Sequence, residues 1–235
     1  MLAERPGLEV VLSLAGRTAQ PLPQPVPTRS GGFGGAAGLA EHLRQREVDV
    51  LVDATHPFAD RISANAAAAA KAAGVKLVVL RRPAWTRQPS DRWIEVADTG
   101  AAVAALGARP RRVLLAIGRQ EAAAFEAAPQ HAYLVRSVDP VDPPLAVPHA
   151  CYILGRGPFG EAEEQALLEA HHIDAVVAKN SGGEATYGKV AAARRLAIEV
   201  VMIARPQAAG AAVTTVEQAA EAVAQALASR TDRGV

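Results

Sequence analysis

The stretch DAVVAKNSGG, residues 174–183, decides how the fold is interpreted. Its first half is an uninterrupted apolar run after the aspartate, typical of a strand that is buried on both faces of a sheet. Its second half is polar and contains paired glycines, and an alanine-rich helical pattern follows at 186–196. The stretch therefore predicts the order strand, loop, helix.

The same order recurs along almost the whole chain. Apolar, β-branched runs predict strands at 8–14, 48–54, 75–80, 93–96, 112–117, 132–135, 151–154, 175–178 and 200–204. Helices are predicted between and after them, at 36–46, 58–73, 99–108, 120–127, 161–171, 186–196 and 215–229. Thr215 and Gln218 have the spacing of a capping box. The alternation predicts an α/β fold with parallel sheets and right-handed crossovers.

We expect two Rossmann-like, doubly wound parallel-sheet domains. Gly107 ends a helical pattern and Pro110 precedes a new apolar strand, which predicts domains at 1–108 and 109–235. Two such domains would face each other across a cleft, where ligands usually bind. A proline-rich segment at 21–29 and GGFGG at 31–35 predict a long connection in the first domain.

Composition excludes several classes of protein. The 235 residues are 50% hydrophobic and 21% charged, as in an ordinary globular protein. A formal net charge of +1 gives no field that would attract nucleic acid or an anionic membrane. No run approaches the roughly 18 apolar residues of a membrane span, and a single cysteine, Cys151, excludes an internal disulfide framework. We expect a cytoplasmic protein.

One candidate group in the first domain follows the strand predicted at 8–14. Open α/β sheets bind ligands at the carboxyl ends of their strands, and Arg17 and Thr18 stand there. An arginine at the end of the second strand of a dinucleotide fold can receive the 2′-phosphate of NADP. The alternative is a solvated arginine in a surface turn.

A second group in this domain is DATHPFA, residues 53–59. Thr55 or Asp53 is predicted to cap the following helix, and Pro57 suits its first turn. His56 either exchanges a proton near neutral pH or only forms a hydrogen bond within its loop.

The second domain contains two strand ends at which glycine and arginine are adjacent. These are Gly118 with Arg119, and Gly155 with Arg156 and Gly157. Bare backbone N–H groups beside a cation suit an anion, although plain turn chemistry would give the same pattern.

Residues 178–189, AKNSGGEATYGK, form the most specific candidate group. Paired glycines allow close approach of a ligand, and hydroxyl, amide and ammonium groups accompany them. The candidate ligand-binding residues are Lys179, Asn180, Ser181, Gly182, Gly183 and Thr186. A plain turn would not need so many hydrogen-bonding side chains, which favours a functional interpretation.

Other chemistries find little support in the sequence. His171 and His172 are adjacent and would point in different directions, and neither HExxH, a P-loop nor GxSxG occurs, so we expect no metal site and no covalent acyl transfer. Trp85 and Trp93 flank an arginine-rich loop that is either a lid over an acidic ligand or a capping loop.

Taken in order, these motifs resemble the precorrin-6A reductase family of cobalamin biosynthesis. The matching segments are SLAGRT (13–18), GGFGG (31–35), VDATHPFA (52–59), LLAIGRQE (114–121), ILGRGPF (153–159), AKNSGG with TYGK (178–189) and VVMIARP (200–206). They cover nearly the whole chain.

The resemblance implies reduction of one double bond of the precorrin-6A macrocycle by NADPH, which gives precorrin-6B. It makes the first domain a dinucleotide-binding domain. Arg17 and Thr18 would then meet the 2′-phosphate, with Thr55, His56 and Pro57 near the nicotinamide. The glycine–arginine strand ends and the 179–186 group would hold substrate carboxylates or cofactor phosphates. His56, Tyr187 or a water would donate the proton.

One expectation qualifies the resemblance. Family members begin with a strand and a glycine-rich loop that we expect this chain to lack, so part of the usual dinucleotide site would be missing.

Two other functions stay open as alternatives to the reductase. One is a non-catalytic protein that binds a tetrapyrrole or nucleotide, and the other is an NADPH reductase of the dihydrodipicolinate reductase type, to which D-x-T-H-P is also similar. The GRGPF and KNSGG segments argue against the latter. Cobalt in the substrate and the oligomeric state stay open.

Overall fold

The computed structural model describes residues 2–16, 21–206 and 211–231. Its strands are β1 (Leu12–Leu14), β2 (Thr28–Ser30), β3 (Val50–Asp53), β4 (Lys76–Val79), β5 (Trp93–Val96), β6 (Arg112–Ala116), β7 (Ala132–Ser137), β8 (Ala150–Leu154), β9 (Ala175–Lys179) and β10 (Glu199–Ile203). Its α-helices are α1 (Gly35–Gln45), α2 (Asp60–Ala73), α3 (Thr99–Ala105), α4 (Arg119–Ala122), α5 (Glu161–Ala170), α6 (Gly188–Arg195) and α7 (Val216–Thr231). Short 3-10 helices cover Leu2–Glu4 and Ala123–Ala127. The predicted α/β class is confirmed.

The chain divides into two units that are not simply consecutive. The first unit combines Met1–Arg82 with Pro206–Val235, and the second is Pro83–Arg205. These bounds differ from the predicted boundary at 108/109. The reason is that β5 pairs in parallel with β10, with Trp93 opposite Val200, so the segment before residue 108 belongs to the second sheet.

The second unit is a six-stranded parallel sheet in the order β5-β10-β9-β6-β7-β8. The central strands β6, β9 and β10 are buried along most of their length, as their uninterrupted apolar sequences require. Leu114, Val176 and Met202 from these strands form the core with Leu168 of α5 and Val190 of α6.

The strand order of this sheet reverses between β6 and β9. From β6 the chain adds β7 and β8 on one side, and it then returns to place β9 and β10 on the other side. Loops that leave neighbouring strands in opposite directions open a crevice at their carboxyl ends, the usual ligand position in such sheets. The segments after β6 and β9 therefore lie at the switch point.

The first unit contains two parallel strand pairs, β1 with β2 and β3 with β4. No ladder joins the two pairs among the residues that the structure describes. Helices α1 and α2 pack through Leu39, Leu43 and Ala69, and α7 places Val223 against Val78 of β4. The C-terminal helix therefore completes the core of the unit in which the chain begins.

Local predictions met different outcomes. The capping box is confirmed, since Gln218 N donates to Thr215 Oγ1 at 3.2 Å and Thr215 N donates to Gln218 Oε1 at 3.2 Å. The prediction that 21–35 is only a connection is wrong, because β2 lies within it and pairs with β1. Capping of α2 by Thr55 or Asp53 is also wrong, since α2 starts at Asp60 behind Ala59, which makes no side-chain cap.

Candidate functional site

The loop after β9, residues 180–187, is tied to the chain segment that precedes β5. The Asn180 side chain accepts from Trp85 N at 2.8 Å and donates to Trp85 O at 2.9 Å. Trp85 Nε1 donates to Gly183 O at 2.7 Å. Arg205 Nε donates to Asn180 O at 3.1 Å, which adds a tie from beyond β10. We call residues 180–187 the β9 loop; its shape is held by partners distant in sequence.

At Gly182 the β9 loop packs tightly against the backbone of Pro83 and the side chain of Arg205. Its φ is +66°, in the left-handed region that favours glycine. A Cβ at this position would overlap the carbonyl oxygen of Pro83 and lie 2.6 Å from a guanidinium nitrogen of Arg205. The glycine is therefore required by backbone packing, apart from any ligand.

We expect Gly182→Ala to lower the free energy of unfolding by about 2–4 kcal/mol, from the left-handed backbone and the overlap together. Gly107→Ala is the matched control, because Gly107 has a φ of +74° with nothing within 4 Å of an added Cβ. That control should lose about 1 kcal/mol in urea unfolding. Equal losses in the two variants would show that the β9 loop yields to the methyl group.

The loop after β8, residues 155–160, packs against the β9 loop. Phe159 N donates to Ala185 O at 3.0 Å. A Cβ on Gly157 would lie 3.2 Å from Ala185 O, and one on Gly188 would lie 2.5 Å from Phe159 O. The structure thus brings together two of the predicted ligand segments, which we call the β8 loop and the β9 loop.

A buried ion pair lies beneath the β8 loop. Arg136, near the end of β7, donates to both carboxylate oxygens of Glu164 on α5, one of them at 3.0 Å. Both side chains are buried, at 7% and 3% exposure. The Arg136 guanidinium stacks 4.1 Å from the ring centre of Phe159. The pair is thus a bidentate, desolvated support for the β8 loop.

Lys189 is a second buried cation, close to the first. It is 5% exposed, its Nζ donates to Thr186 O at 2.5 Å, and it lies 5.0 Å from the ring centre of Trp85. Burial first, and the charge of Arg136 second, lower the pKa of Lys189 to about 7, while the charge of Glu164 opposes the change. Lys189 ends the 178–189 group but is not among its predicted ligand-binding residues, because a lysine on a predicted helix normally faces solvent.

Lys179, a predicted anion ligand, forms an ion pair with Glu121 of α4. The other carboxylate oxygen of Glu121 lies 3.5 Å from where a Cβ on Gly118 would stand. Lys179 ends β9, and Gly118 and Glu121 follow β6. The Lys179–Glu121 ion pair therefore joins the two sides of the switch point. An internal carboxylate is therefore already placed where the sequence analysis placed an anionic ligand. Arg119 and Arg156, the two other predicted cations, are exposed.

Tyr187 closes the β9 loop within a polar network. Its hydroxyl oxygen accepts from Arg194, which also donates to the buried carboxylate of Asp91 at 2.7 Å. The hydrogen bond to Asp91 raises the pKa of Arg194. The Tyr187 ring lies 5.7 Å from that of Trp85. The network fixes the ring and leaves the phenolic proton for another acceptor.

The candidate residues of the first unit form a separate small network. Asp53 is buried at the end of β3 and accepts from Thr55 N at 3.0 Å and Thr55 Oγ1 at 2.6 Å. His56 Nδ1 accepts from Phe58 N at 3.3 Å, which places the ring proton on Nε2. His56 is exposed, and Pro57 is buried in the turn before α2.

Gly16, which follows β1, and Gly31, which follows β2, bring two backbone segments without side chains close together. Gly16 has a φ of +73°, and a Cβ there would lie 3.3 Å from Gly31 N. Arg29 donates to Gly31 O at 2.9 Å and stacks 3.8 Å from the ring centre of Phe33. Arg17 and Thr18, predicted to meet the 2′-phosphate, lie outside the described residues.

Two kinds of feature are absent from the described part of the chain. Over residues 2–16, 21–206 and 211–231, no three or more His, Cys, Asp and Glu side chains are grouped as metal ligands would be. In that same part of the chain, no helix has the length and apolar character needed to cross a membrane.

The fold and the loops define a Rossmann-like α/β protein whose candidate anion-binding residues follow the strands at a topological switch point. A family model described as Precorrin-6x reductase CbiJ/CobK matches residues 1–226. The chain belongs to this family, and the predicted resemblance is confirmed. It is an oxidoreductase, for which the family implies a nicotinamide cofactor. The match gives no support to the dihydrodipicolinate reductase alternative.

Individual relatives agree with the family model. The chain is 62% identical to a precorrin-6A reductase of Sinorhizobium sp over 87% of its own length and 78% of the relative. It is 51% identical to the precorrin-6A reductase of Rhodobacter capsulatus over 85% and 80% of the two chains. A solved structure of CobK precorrin-6A reductase matches with a TM-score of 0.89 at 47% identity, covering 92% of this chain and 86% of that one.

Proposed function

We propose that the chain reduces one double bond of precorrin-6A with NADPH and yields precorrin-6B. The observation that carries the proposal is the family match over residues 1–226, because it spans the candidate loops of both units. Both relatives named above carry the name of the substrate without cobalt, which favours the metal-free macrocycle. The cytoplasm, where NADPH is supplied, is the proposed location.

The described residues of the first unit fit a nicotinamide dinucleotide. The approach of Gly16 to Gly31 leaves backbone that a pyrophosphate can reach without meeting a Cβ. Arg17 and Thr18 would hold the 2′-phosphate, and Thr55 and Pro57 would contact the nicotinamide end. When bound, the cofactor supplies the hydride.

The macrocycle carries acetate and propionate carboxylates, and the cations of the second unit match them. Lys179, Arg119 and Arg156 would bind these carboxylates through charge-assisted hydrogen bonds. Gly118, Gly155 and Gly157 would contribute backbone N–H groups beside these cations; Gly155 and Gly157 also make room for the Phe159 ring. In the β9 loop, the hydroxyls of Ser181 and Thr186 would add neutral donors, whereas the Asn180 amide is already bound to Trp85.

Reduction requires a proton as well as the hydride. Two of the candidate side chains could donate this proton. His56 carries its proton on Nε2, because Nδ1 accepts a hydrogen bond from Phe58 N. The phenolic oxygen of Tyr187 accepts a hydrogen bond from Arg194, which leaves the O–H free to point at a different acceptor. Hydride adds to one carbon of the double bond, and the other carbon takes up the proton. We propose these two residues as the candidates for donating that proton.

The test is turnover of precorrin-6A by the full chain with NADPH and, separately, with NADH. We expect NADPH oxidation matched by formation of the dihydro product, and kcat/KM for NADPH about 10–100-fold above that for NADH if an arginine binds the 2′-phosphate. Binding of the macrocycle without oxidation of either cofactor would replace the proposal by a non-catalytic binding function. Equal use of both cofactors would remove the role of Arg17.

A further inference from the structure

Lys189 differs from three other buried or partly buried cations of the second unit in what surrounds it. Arg136 is paired with Glu164, Lys179 with Glu121 and Arg194 with Asp91. Within residues 2–16, 21–206 and 211–231, no carboxylate forms an ion pair with Lys189. Its ammonium meets a neutral carbonyl and an aromatic ring instead.

This position is costly for a charged side chain. Lys189 is 5% exposed, and it stands in the first turn of α6, where the helix dipole disfavours a cation. The nearby charge of Arg136 adds repulsion, which the bidentate contact of Arg136 with Glu164 only partly cancels. A leucine or methionine would fill the same volume without these costs, so packing alone does not account for the lysine.

The hydrogen bond and the aromatic contact of Lys189 both lead to the β9 loop. Thr186, which accepts from its Nζ, lies at the end of that loop. Trp85, whose ring faces the ammonium, donates to Gly183 O in the middle of the loop and pairs with Asn180 at its start. Lys189 thus contacts the β9 loop directly near its end, at Thr186. Through Trp85 it also reaches the start and the middle of the loop, at Asn180 and Gly183.

We propose that Lys189, as a cation, is a positioning residue that holds the β9 loop and Trp85 in the arrangement that binds the substrate's carboxylates; this rests on the proposed function. The ammonium also adds a positive charge below the loop, and no carboxylate of the described residues forms an ion pair with it. Loss of that charge loosens the Thr186 contact and removes the attraction to the Trp85 ring.

The proposal predicts a dependence on pH that belongs to Lys189. The charged groups that face it are Arg136 from β7 and Glu164 from α5; the facing side chain before β5, Trp85, does not titrate. The Arg136 guanidinium keeps its charge at any pH at which the protein is folded. Because the pKa of Lys189 is about 7, its charge is present below neutrality and is lost as the pH rises through that value.

The first test uses hydrogen exchange in the ligand-free wild-type chain. The reporters are Tyr187 N, which donates to Glu184 O at 3.0 Å, and Phe159 N, which donates to Ala185 O at 3.0 Å. After correction for intrinsic rates, we expect their protection to fall about tenfold between about pH 6 and about pH 8.5, while the amides of β9 keep theirs. Protection that stays constant across this range overturns the proposal, and this test requires neither a variant nor a substrate.

The second test compares Lys189→Met and Lys189→Arg with Lys71→Met, which removes an exposed lysine on α2 of the first unit. The methionine variant should expose the two reporters at every pH, and the arginine variant, where it folds, should keep them protected at high pH. With precorrin-6A, Lys189→Met should raise KM about tenfold with kcat within about twofold, as expected for lost positioning of a binding loop. Lys71→Met should match the wild type.

The outcomes separate the two proposals. A fall in kcat and thermal stability with unchanged KM and unchanged reporter protection would assign Lys189 a purely structural role and overturn the inference. If the wild type does not turn over precorrin-6A, the proposed function fails, and the exchange data still decide whether the charge of Lys189 orders the loop.

Discussion

Glu164→Gln should lower the free energy of unfolding by about 3–5 kcal/mol, one of the two largest effects that we expect in this protein. The substitution leaves the Arg136 guanidinium buried at 7% exposure without its bidentate carboxylate. A buried, unpaired charge costs far more than an exposed one, because water cannot solvate it. Urea unfolding, followed by circular dichroism, measures the loss.

Two further variants make this prediction specific. Glu161→Gln removes the carboxylate of an exposed pair with Arg195, at 3.3 Å and with side chains 46% and 67% exposed, and should cost less than about 1 kcal/mol. The double variant Arg136→Met, Glu164→Leu should recover much of the stability lost in Glu164→Gln, because it removes the stranded charge together with its partner. A loss in Glu164→Gln no larger than in Glu161→Gln would contradict the desolvated pair.

Lys179→Met and Glu121→Gln should change substrate affinity in opposite directions. The lysine variant removes a cation from the switch point and should raise KM for precorrin-6A about 10–100-fold, the range for a charge-assisted hydrogen bond. Glu121→Gln removes the internal carboxylate that pairs with Lys179 and should lower KM by up to about tenfold. Steady-state kinetics at low ionic strength measure both.

The pair Arg195 and Glu161 again provides matched controls, because it lies in the same unit and is exposed. Arg195→Met and Glu161→Gln should each leave KM within about twofold of the wild type. If Glu121→Gln raises KM as Lys179→Met does, Glu121 supports the site through Lys179 and does not compete with the ligand. If neither variant alters KM, Lys179 does not bind the substrate.

Local sequence predicted the elements of the fold better than their assembly. The strand predicted at 93–96 is β5 with the same bounds, since its apolar pattern is a local property. Its place beside β10 depends on pairing of Trp93 with Val200, more than 100 residues away, so no local pattern reveals it. β2 is only Thr28–Ser30, too short for a periodic signal, and its pairing with β1 defines it.

The candidate site shows the same limit. Glycines and polar residues after strands predicted the β8 and β9 loops, because turns at strand ends have local signatures. The Asn180 amide is hydrogen-bonded to the backbone of Trp85, which lies 95 residues earlier. The sequence does not reveal that contact. Lys189 was overlooked because the helical pattern around it does not show that both Thr186 and a tryptophan cover its ammonium.

The way the chain passes between the units has a consequence for synthesis on the ribosome. Residues 83–205 are continuous, and their ends meet where an Arg205 guanidinium nitrogen donates to Pro83 O at 3.4 Å. The second unit can therefore close as soon as its last strand has emerged. The first unit has to wait, since Val213 and α7, which complete the core around Val78, are translated after the whole of the second unit. A nascent chain from which residues up to about 205 have emerged, with α7 still inside the ribosome, would carry one finished half and one exposed apolar surface, the stage at which chaperones are most needed.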